Sequence, residues 1–385
     1  MTPRRRLIVA ADDFGMSPGV NAGILRAHRE GILTETSLMV RGAAAEEAVA
    51  LAREAPSLGV GLHLALLQGH SASPPREIPL LVDTDGRFSD NPIWSGLRYF
   101  FVPGIRAQLR REIAAQLDAF AATGLPLSHV DGHVTIHMHP CVLAALLEVA
   151  ERYGVRALRL PRDPLGPALR WDRRHAARKV FEGLAFGALS RWGGPRIRAA
   201  GLRTPDQMFG MHQTGVVTED YLLHLIATLP PGTSEVYCHP AVVDAEARRW
   251  RPADYRSEDE LAALCSPRVR AAIDAAGIEL IGYRDLKVAT AGTRNRAGAA
   301  WRCCTACRRA RRCPWSSARR ARSARDGPWS APSPRPARRS SGRPRAPRAA
   351  STTATPAARA PSPARAGSSR RRLRRGTRRR SRKGT

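Results

Sequence analysis

The last 97 residues of this 385-residue chain lack most of the side chains from which a protein core is built. Residues 289–385 contain no Ile, Val, Met, Phe or Tyr, a single Leu (Leu373), and a single acidic residue (Asp326) against 29 basic ones. A segment of this composition cannot offset the entropy that is lost on ordering. The sequence therefore predicts a disordered, basic, Arg/Pro/Ala-rich tail and excludes a second globular domain in this region.

The chain also lacks any run of about 18 apolar residues, the length that a membrane-spanning helix needs. Three arginines followed by an apolar stretch at the N-terminus imitate a signal peptide, but Asp12 and Asp13 end that stretch too early. Cysteines are few, and the three that precede the tail, Cys141, Cys238 and Cys265, are too widely separated for a disulfide framework. We therefore expect a cytoplasmic protein.

Residues 1–288 are nearly neutral, with 34 basic against 32 acidic residues, and are long enough for one α/β barrel of about 250 residues. Short apolar runs such as Leu7–Ala11 alternate with helical patterns. One of these starts at Ser17 and Pro18, and another places apolar side chains from Ile105 to Phe120 on a single face. This alternation predicts βαβ units within one α/β domain.

Ionisable residues follow several of the predicted strands at their carboxyl ends. Asp12 and Asp13 end the first strand, His63 lies in the third, Arg159 ends a later strand, and His239 ends the strand before the last helix. Each has a simpler interpretation, such as a turn residue or a core histidine. In a parallel barrel, however, these strand ends share one face, which is where active sites form.

The segment 129–139 is rich in histidine, with four of the chain's 11 histidines within eleven residues. Strand alternation predicts that His129, Asp131 and His133 share a face. Imidazole and carboxylate groups together suit a divalent metal ion. We interpret His139, which precedes Pro140, as a helix N-cap neighbour rather than a ligand.

These motifs resemble those of a known family. Asp12 and Asp13 with the following Phe and Gly, Gly61-Leu-His63-Leu, and His129-Val-Asp131-Gly-His133 are similar to the YdjC-like carbohydrate deacetylases, also called chitooligosaccharide deacetylases. The resemblance covers residues 6–288. It implies an α/β fold of the polysaccharide-deacetylase type, a distorted (β/α) TIM-like barrel, and a hydrolase that removes an N-acetyl group from an amino sugar.

Carried over to this sequence, the resemblance implies that Asp12 is the general base and His239 the general acid. It implies one divalent metal ion, Mg or Zn, held by Asp13, His63 and His133, and leaves open whether His129 or His137 also contacts the metal. The chemistry is consistent, because an amide is a poor electrophile that benefits from a Lewis acid, a base for water and an acid for the amine.

The segments 209–215 and 235–241 resemble the hopanoid-biosynthesis-associated branch of the family. This implies an N-acetylglucosamine-type sugar on a hopanoid glycolipid as the substrate, with peripheral contact to the inner membrane. Residues 68–103 are predicted to form a long insertion. Its apolar and aromatic residues suit the hydrophobic aglycone of such a lipid. The predicted substrate-binding residues are His129, Arg159, His212 and Gln213. A soluble chitooligosaccharide is the alternative substrate.

The tail leaves three interpretations open. It is a basic arm for nucleic acid or anionic membranes, a small zinc site at Cys303, Cys304, Cys307 and Cys313, or the product of a frameshift or read-through in a GC-rich gene. We favour the last, because Arg, Ala, Pro, Gly and Ser have GC-rich codons and the domain pattern is complete by Val288. A nucleic-acid-binding protein that acts through this tail is the alternative function, although 29 positive charges would bind any polyanion non-specifically.

Overall fold

A computed structural model describes residues 4–286, which are built on a parallel sheet; the predicted boundary at Val288 and the tail lie outside this range. The strands in this part are β1 (Arg5–Phe14), β2 (Glu35–Leu38), β3 (Gly59–Leu64), β4 (Leu127–Gly132), β5 (Gln207–Phe209), β6 (Gly232–Cys238) and β7 (Glu279–Leu280). Every pairing is parallel, in the order β4-β3-β2-β1-β6-β5, and β7 pairs with the start of β1.

Helices connect these strands and cover the outside of the sheet. They are α1 (Pro18–Glu30), α2 (Ala45–Arg53), α3 (Pro92–Phe101), α4 (Ile105–Ala122), α5 (Pro140–Val149), α6 (Leu165–Trp171), α7 (Ala176–Ala199), α8 (Glu219–Thr228), α9 (Ala245–Trp250), α10 (Ser257–Leu264) and α11 (Pro267–Ala275). Within residues 4–286, no helix is long and apolar enough to cross a membrane.

The sheet curls towards closure, but the closing seam between β4 and β5 is thin. Leu158 forms a single bridge to Val130 of β4, and Ala157 forms another to Arg203, which precedes β5. The later strand predicted to end at Arg159 is thus reduced to isolated bridges. The result is the predicted α/β fold, a distorted and incompletely closed (β/α) barrel.

Strand β1 is the centre of the core, because its last eight residues are all buried. Parallel strands covered on both faces consist of near-continuous apolar runs, and Leu7–Ala11 follows this rule. The same strand then continues into two buried aspartates, Asp12 and Asp13. Burying carboxylates is unfavourable unless they find partners, so the end of β1 marks a site.

Local signals placed most helix starts correctly and failed where two elements meet. The Ser17 hydroxyl accepts from the Val20 amide and caps α1, as predicted. Pro267 divides the last predicted helix into α10 and α11, because proline cannot continue the hydrogen-bond ladder. The three-residue strand β5 carries too short a pattern to be recognised in the sequence.

Candidate active site

A cleft of about 520 Å³ opens at the carboxyl ends of the parallel strands. One side, here called the strand wall, is formed by Asp12, Asp13, His63 and His133. These residues come from the ends of β1 and β3 and from the turn after β4. The predicted convergence of polar strand ends is therefore present in the structure.

A bulge at the end of β1 brings two consecutive aspartates to the same cleft. The pairing of β1 with β2 shifts register between Ala11 and Phe14, and Asp13 adopts φ 71°, in the left-handed region. In a regular strand, neighbouring side chains point to opposite faces, and the bulge removes this alternation. Both carboxylates thus line the cleft.

Asp13, His63 and His133 form a compact group that could hold a metal ion. Oδ1 of Asp13 lies 3.5 Å from Nε2 of His63 and 3.2 Å from Nδ1 of His133, and one ligand atom from each residue lies within 4.8 Å of the others. One carboxylate and two imidazoles are a common donor set for a divalent ion that keeps open positions for water and substrate. The group fits the predicted metal site.

Hydrogen bonds at the far side of each imidazole determine which nitrogen faces this group. Nδ1 of His63 lies 2.8 Å from Oδ1 of Asp131 and donates to it, which leaves Nε2 facing Asp13. Nε2 of His133 lies 3.0 Å from Oε1 of Gln68 and donates to it, which leaves Nδ1 facing Asp13. Such partners fix the tautomer and orientation of metal-binding histidines.

A second combination, Asp12, His63 and Asp131, also brings three donor atoms close together. Arg159 already occupies these carboxylates, because its guanidinium lies 2.7 and 2.8 Å from the two oxygens of Asp12 and 2.8 Å from Oδ2 of Asp131. Asp131 is fully buried and does not line the cleft. Asp13, His63 and His133 are therefore the better candidate.

The charges around this group oppose the effect of burial. Burial would raise the pKa of Asp13, but the hydrogen bond and charge of His133, with His239 and Arg251, lower it below its ordinary value. Burial would lower the pKa of His63, but the charge and hydrogen bond of Asp131 raise it to about 9. A metal ion bound to His63 would therefore have to displace a proton.

His239 follows β6 and faces the same cleft from a different direction. Burial lowers its pKa to about 4, although the charges of Asp13 and Asp12 act in the opposite sense, so the ring is neutral at pH 7. Its Nδ1 is buried without a partner among the described residues. The buried carboxylate of Glu260 accepts from the His239 amide and holds this end of β6 in place.

Another part of the cleft lining, here called the outer wall, is formed by longer side chains from α7, from the end of α9 and from the loops after β5 and α9. They are Arg178, Glu182, Phe186, Met211, Trp250 and Tyr255. Four non-glycine residues of the cleft lining have a positive φ: Asp13, Gln68, Val134 and Thr135. Strained non-glycine residues concentrate at functional sites.

Several residues predicted to bind substrate lie outside the cleft lining. His129 is fully buried, stacks on Tyr283 at 4.0 Å between ring centroids, and approaches Gly61, where any Cβ would collide with it. Arg159 is buried beneath Asp12. His212 and Gln213 are buried in the loop after β5, and both have side-chain atoms without partners among the described residues.

The predicted common face of segment 129–139 holds for His129 and Asp131 but not for His133. Strand β4 ends at Gly132, and residues 133–138 form a tight 3-10 turn that turns His133 towards the cleft. His137 is buried, and its Nε2 lies 3.1 Å from the Arg159 carbonyl, away from the metal group. His139 caps α5 by accepting from the Cys141 amide, as predicted.

Two residues of the site carried no recognisable signal in the sequence. Gln68 lies in a loop, and only its contact with His133 shows its position. Arg251 follows α9, and its guanidinium donates to the His239 carbonyl and lies 3.4 Å from Oδ2 of Asp13. Arginine is common on surfaces, so only the long-range fold distinguishes this one.

Together, the incompletely closed parallel barrel and the Asp-His-His group at its carboxyl face define an α/β-barrel enzyme with a candidate metal centre. Residues 6–275 match the family described as YdjC-like protein. The chain belongs to this family, which confirms the predicted membership.

Relatives with the name carbohydrate deacetylase support this assignment. The Geobacillus stearothermophilus protein is 34% identical over 73% of this chain and 98% of its own length. The mouse protein is 32% identical over 74% of this chain and 96% of its own. A Brevibacillus brevis protein is 45% identical, but the match spans only 39% of this chain and 57% of that relative.

A solved structure agrees with the fold. The protein from Enterococcus faecalis described as a candidate cellobiose-phosphate cleavage protein superposes with a TM-score of 0.59 at 27% identity. The match covers 73% of this chain and 98% of that one.

Proposed function

We propose that this enzyme is a metal-dependent N-deacetylase that removes the acetyl group from an N-acetylglucosamine-type sugar. The reaction class is the one named for its relatives, and this chain is a carbohydrate deacetylase of that class. The observation that carries the proposal is the group of Asp13, His63 and His133 beside Asp12 in one cleft.

Asp13, His63 and His133 would hold one divalent ion, either Mg or Zn. When bound, the ion supplies Lewis acidity that polarises the acetyl carbonyl and makes a water molecule more acidic. The chain's own contribution is orientation, because Asp131 and Gln68 keep one nitrogen of each imidazole facing Asp13.

Asp12 is proposed as the general base that takes the proton of the attacking water. Arg159 donates to both of its oxygens, so the carboxylate is held in place and its negative charge is stabilised. His239 is proposed as the general acid that protonates the departing amine nitrogen. Because the ring is neutral at pH 7 in the ligand-free chain, it must take up that proton in the complex with substrate.

The proposed substrate is a hopanoid-type glycolipid, deacetylated at the cytoplasmic face of the inner membrane. Helix α3 supports it, because its exposed residues form an apolar surface fit for a hydrophobic aglycone: Ile93, Trp94, Leu97, Phe100 and Phe101. Large exposed apolar patches on proteins usually mark a ligand or partner. His129, Arg159, His212 and Gln213 are buried outside the cleft lining, so we propose no direct contact between them and the substrate.

The test is release of acetate from a panel of N-acetylated sugars, with and without a chelator. We expect chelator-sensitive release, faster from a glycosylated hopanoid than from a soluble chitooligosaccharide. Replacing Trp94, Phe100 and Phe101 by Ala should slow only the hopanoid reaction. If the wild type prefers the free oligosaccharide and the triple variant has the same preference, the lipid substrate is wrong. The proposed deacetylase activity would still stand.

A further inference from the structure

Most of the large exposed apolar side chains of the described residues belong to three helices. Of the eleven exposed large apolar residues, five belong to α3, four to α6 and α7, and one to the turn after β4. Only Val242 lies elsewhere. The α3 residues are accounted for by the proposed aglycone, whereas those of α7 have no role in the reaction.

Helix α7 presents three different faces. Lys179, Ser190 and Ile197 are buried against the barrel, and a second face lines the cleft. The third face is exposed and carries Ala177, Phe181, Leu184 and Ala188, here called the α7 stripe. Spacings of four, three and four residues place these side chains in one row along the helix.

The exposure of the stripe is unusual for a protein in water. Phe181 is 73% exposed and Leu184 is 64% exposed, with Val180 beside them at 37%. Side chains of this size normally stabilise a protein by leaving water, and these do not. A stripe of this kind therefore indicates a surface that is covered when the protein works.

The charge around the stripe identifies what covers it. Residues 165–199 contain eight basic and two acidic residues, and exposed Arg173 and Arg191 lie beyond the two ends of the stripe. A helix with an apolar face flanked by arginine is typical of proteins that lie on anionic lipid. The same excess of positive charge on both partners would oppose pairing of the stripe with a second copy.

We propose that the α7 stripe docks on a bilayer containing anionic lipid, with Phe181 and Leu184 inserted among the lipid headgroups. The cleft face of α7 adjoins the stripe, so docking holds the cleft mouth at the level of the headgroups. The inference rests on the proposed glycolipid substrate for its purpose, but vesicle binding can be measured without any reaction.

The experiment is sedimentation of the full chain with vesicles of phosphatidylcholine and phosphatidylglycerol, compared with phosphatidylcholine alone. The wild type is expected to bind the mixed vesicles preferentially. Phe181→Ser combined with Leu184→Ser should lower the partition coefficient about tenfold or more, given the apolar area that two such side chains bury. Both proteins keep the basic tail, so their difference reports the stripe.

Val242→Ser is the matched control, since it removes an exposed apolar side chain outside the α7 stripe. It should bind as the wild type does, and all variants should release acetate from a soluble N-acetyl sugar equally. Equal vesicle binding by the double variant and the wild type would overturn the proposal. The proposal would also be overturned if the wild type is a dimer and the double variant is a monomer, because the stripe would then be a dimer interface. Loss of acetate release by every protein would instead count against the proposed reaction.

Discussion

The two walls of the cleft are built on different principles. The strand wall consists of side chains at or just after strand ends, each in contact with a partner such as Asp131, Gln68 or Arg159. The outer wall consists of long side chains from helices and loops, whose partners belong to the same outer elements, as in the pair of Arg178 with Glu182. From this difference we expect the strand wall to matter most for the proposed reaction and the outer wall to matter most for substrate binding.

Removing a ligand from the strand wall should have the largest effect. His63→Ala or His133→Ala is expected to abolish metal binding and to lower turnover roughly a thousandfold, since a Lewis acid contributes several kcal/mol. Elemental analysis of the purified variants measures the metal directly. Undiminished metal content in both variants would show that this group is not the metal site.

Asp12 should be needed for the reaction but not for the metal. Asp12→Asn is expected to lower turnover by about 10² or more, the usual size of a general-base effect. Metal content and thermal melting should be measured in parallel, because Asn also weakens the contact with Arg159. A near-normal rate would remove Asp12 from the proposed role.

Gln68 should act on the metal only through His133. Gln68→Met keeps the size of the side chain but cannot accept the hydrogen bond from Nε2, and we expect metal affinity to fall about 10-fold to 100-fold. Gln68→Glu retains an acceptor oxygen and should restore most of the affinity. Metal affinity is measured by competition with a chromogenic chelator. Equal affinities of the wild type and Gln68→Met would show that the contact between Gln68 and His133 does not strengthen metal binding.

Substitutions in the outer wall should change substrate binding more than the turnover rate. Phe186→Ala is expected to raise KM severalfold with little change in kcat, as when binding is lost equally from the ground and transition states. Steady-state kinetics on two sugars of different length separates the two parameters. A fall in kcat at unchanged KM would show that Phe186 contributes to the catalytic step. The proposed difference between the two walls would then be wrong.

The smallest effect is expected from the tail. Its composition provides little apolar area to bury at about 25 cal/mol per Å², so chains with and without residues 289–385 should melt at the same temperature. Calorimetry measures the melting temperature of both. A clear loss of stability on truncation at Val288 would show that the tail stabilises the barrel.

The sequence predicted the strand wall better than the outer wall for a physical reason. Polar residues at the ends of apolar strands are visible in the chain, and parallel strands must bring them together, as with Asp13 and His63. The turn at His133 could not be predicted, because it rests on the positive φ of Val134 and Thr135, and the bulge at Asp13 could not, because it depends on pairing with the distant β2. For the same reason, His129 matched a metal-site pattern but packs against Tyr283.

The thin seam between β4 and β5 has a consequence for the stability of the site. Val130, Leu158 and Arg203 close the barrel there through isolated bridges, whereas β1 and β6 pair along seven residues. Local opening should begin at this seam, so the amides of Leu158 and Arg203 should exchange with deuterium sooner than those of Val9 and Val236. Arg159 is adjacent to the seam and fixes Asp12, so each opening would release the proposed base and briefly switch the enzyme off.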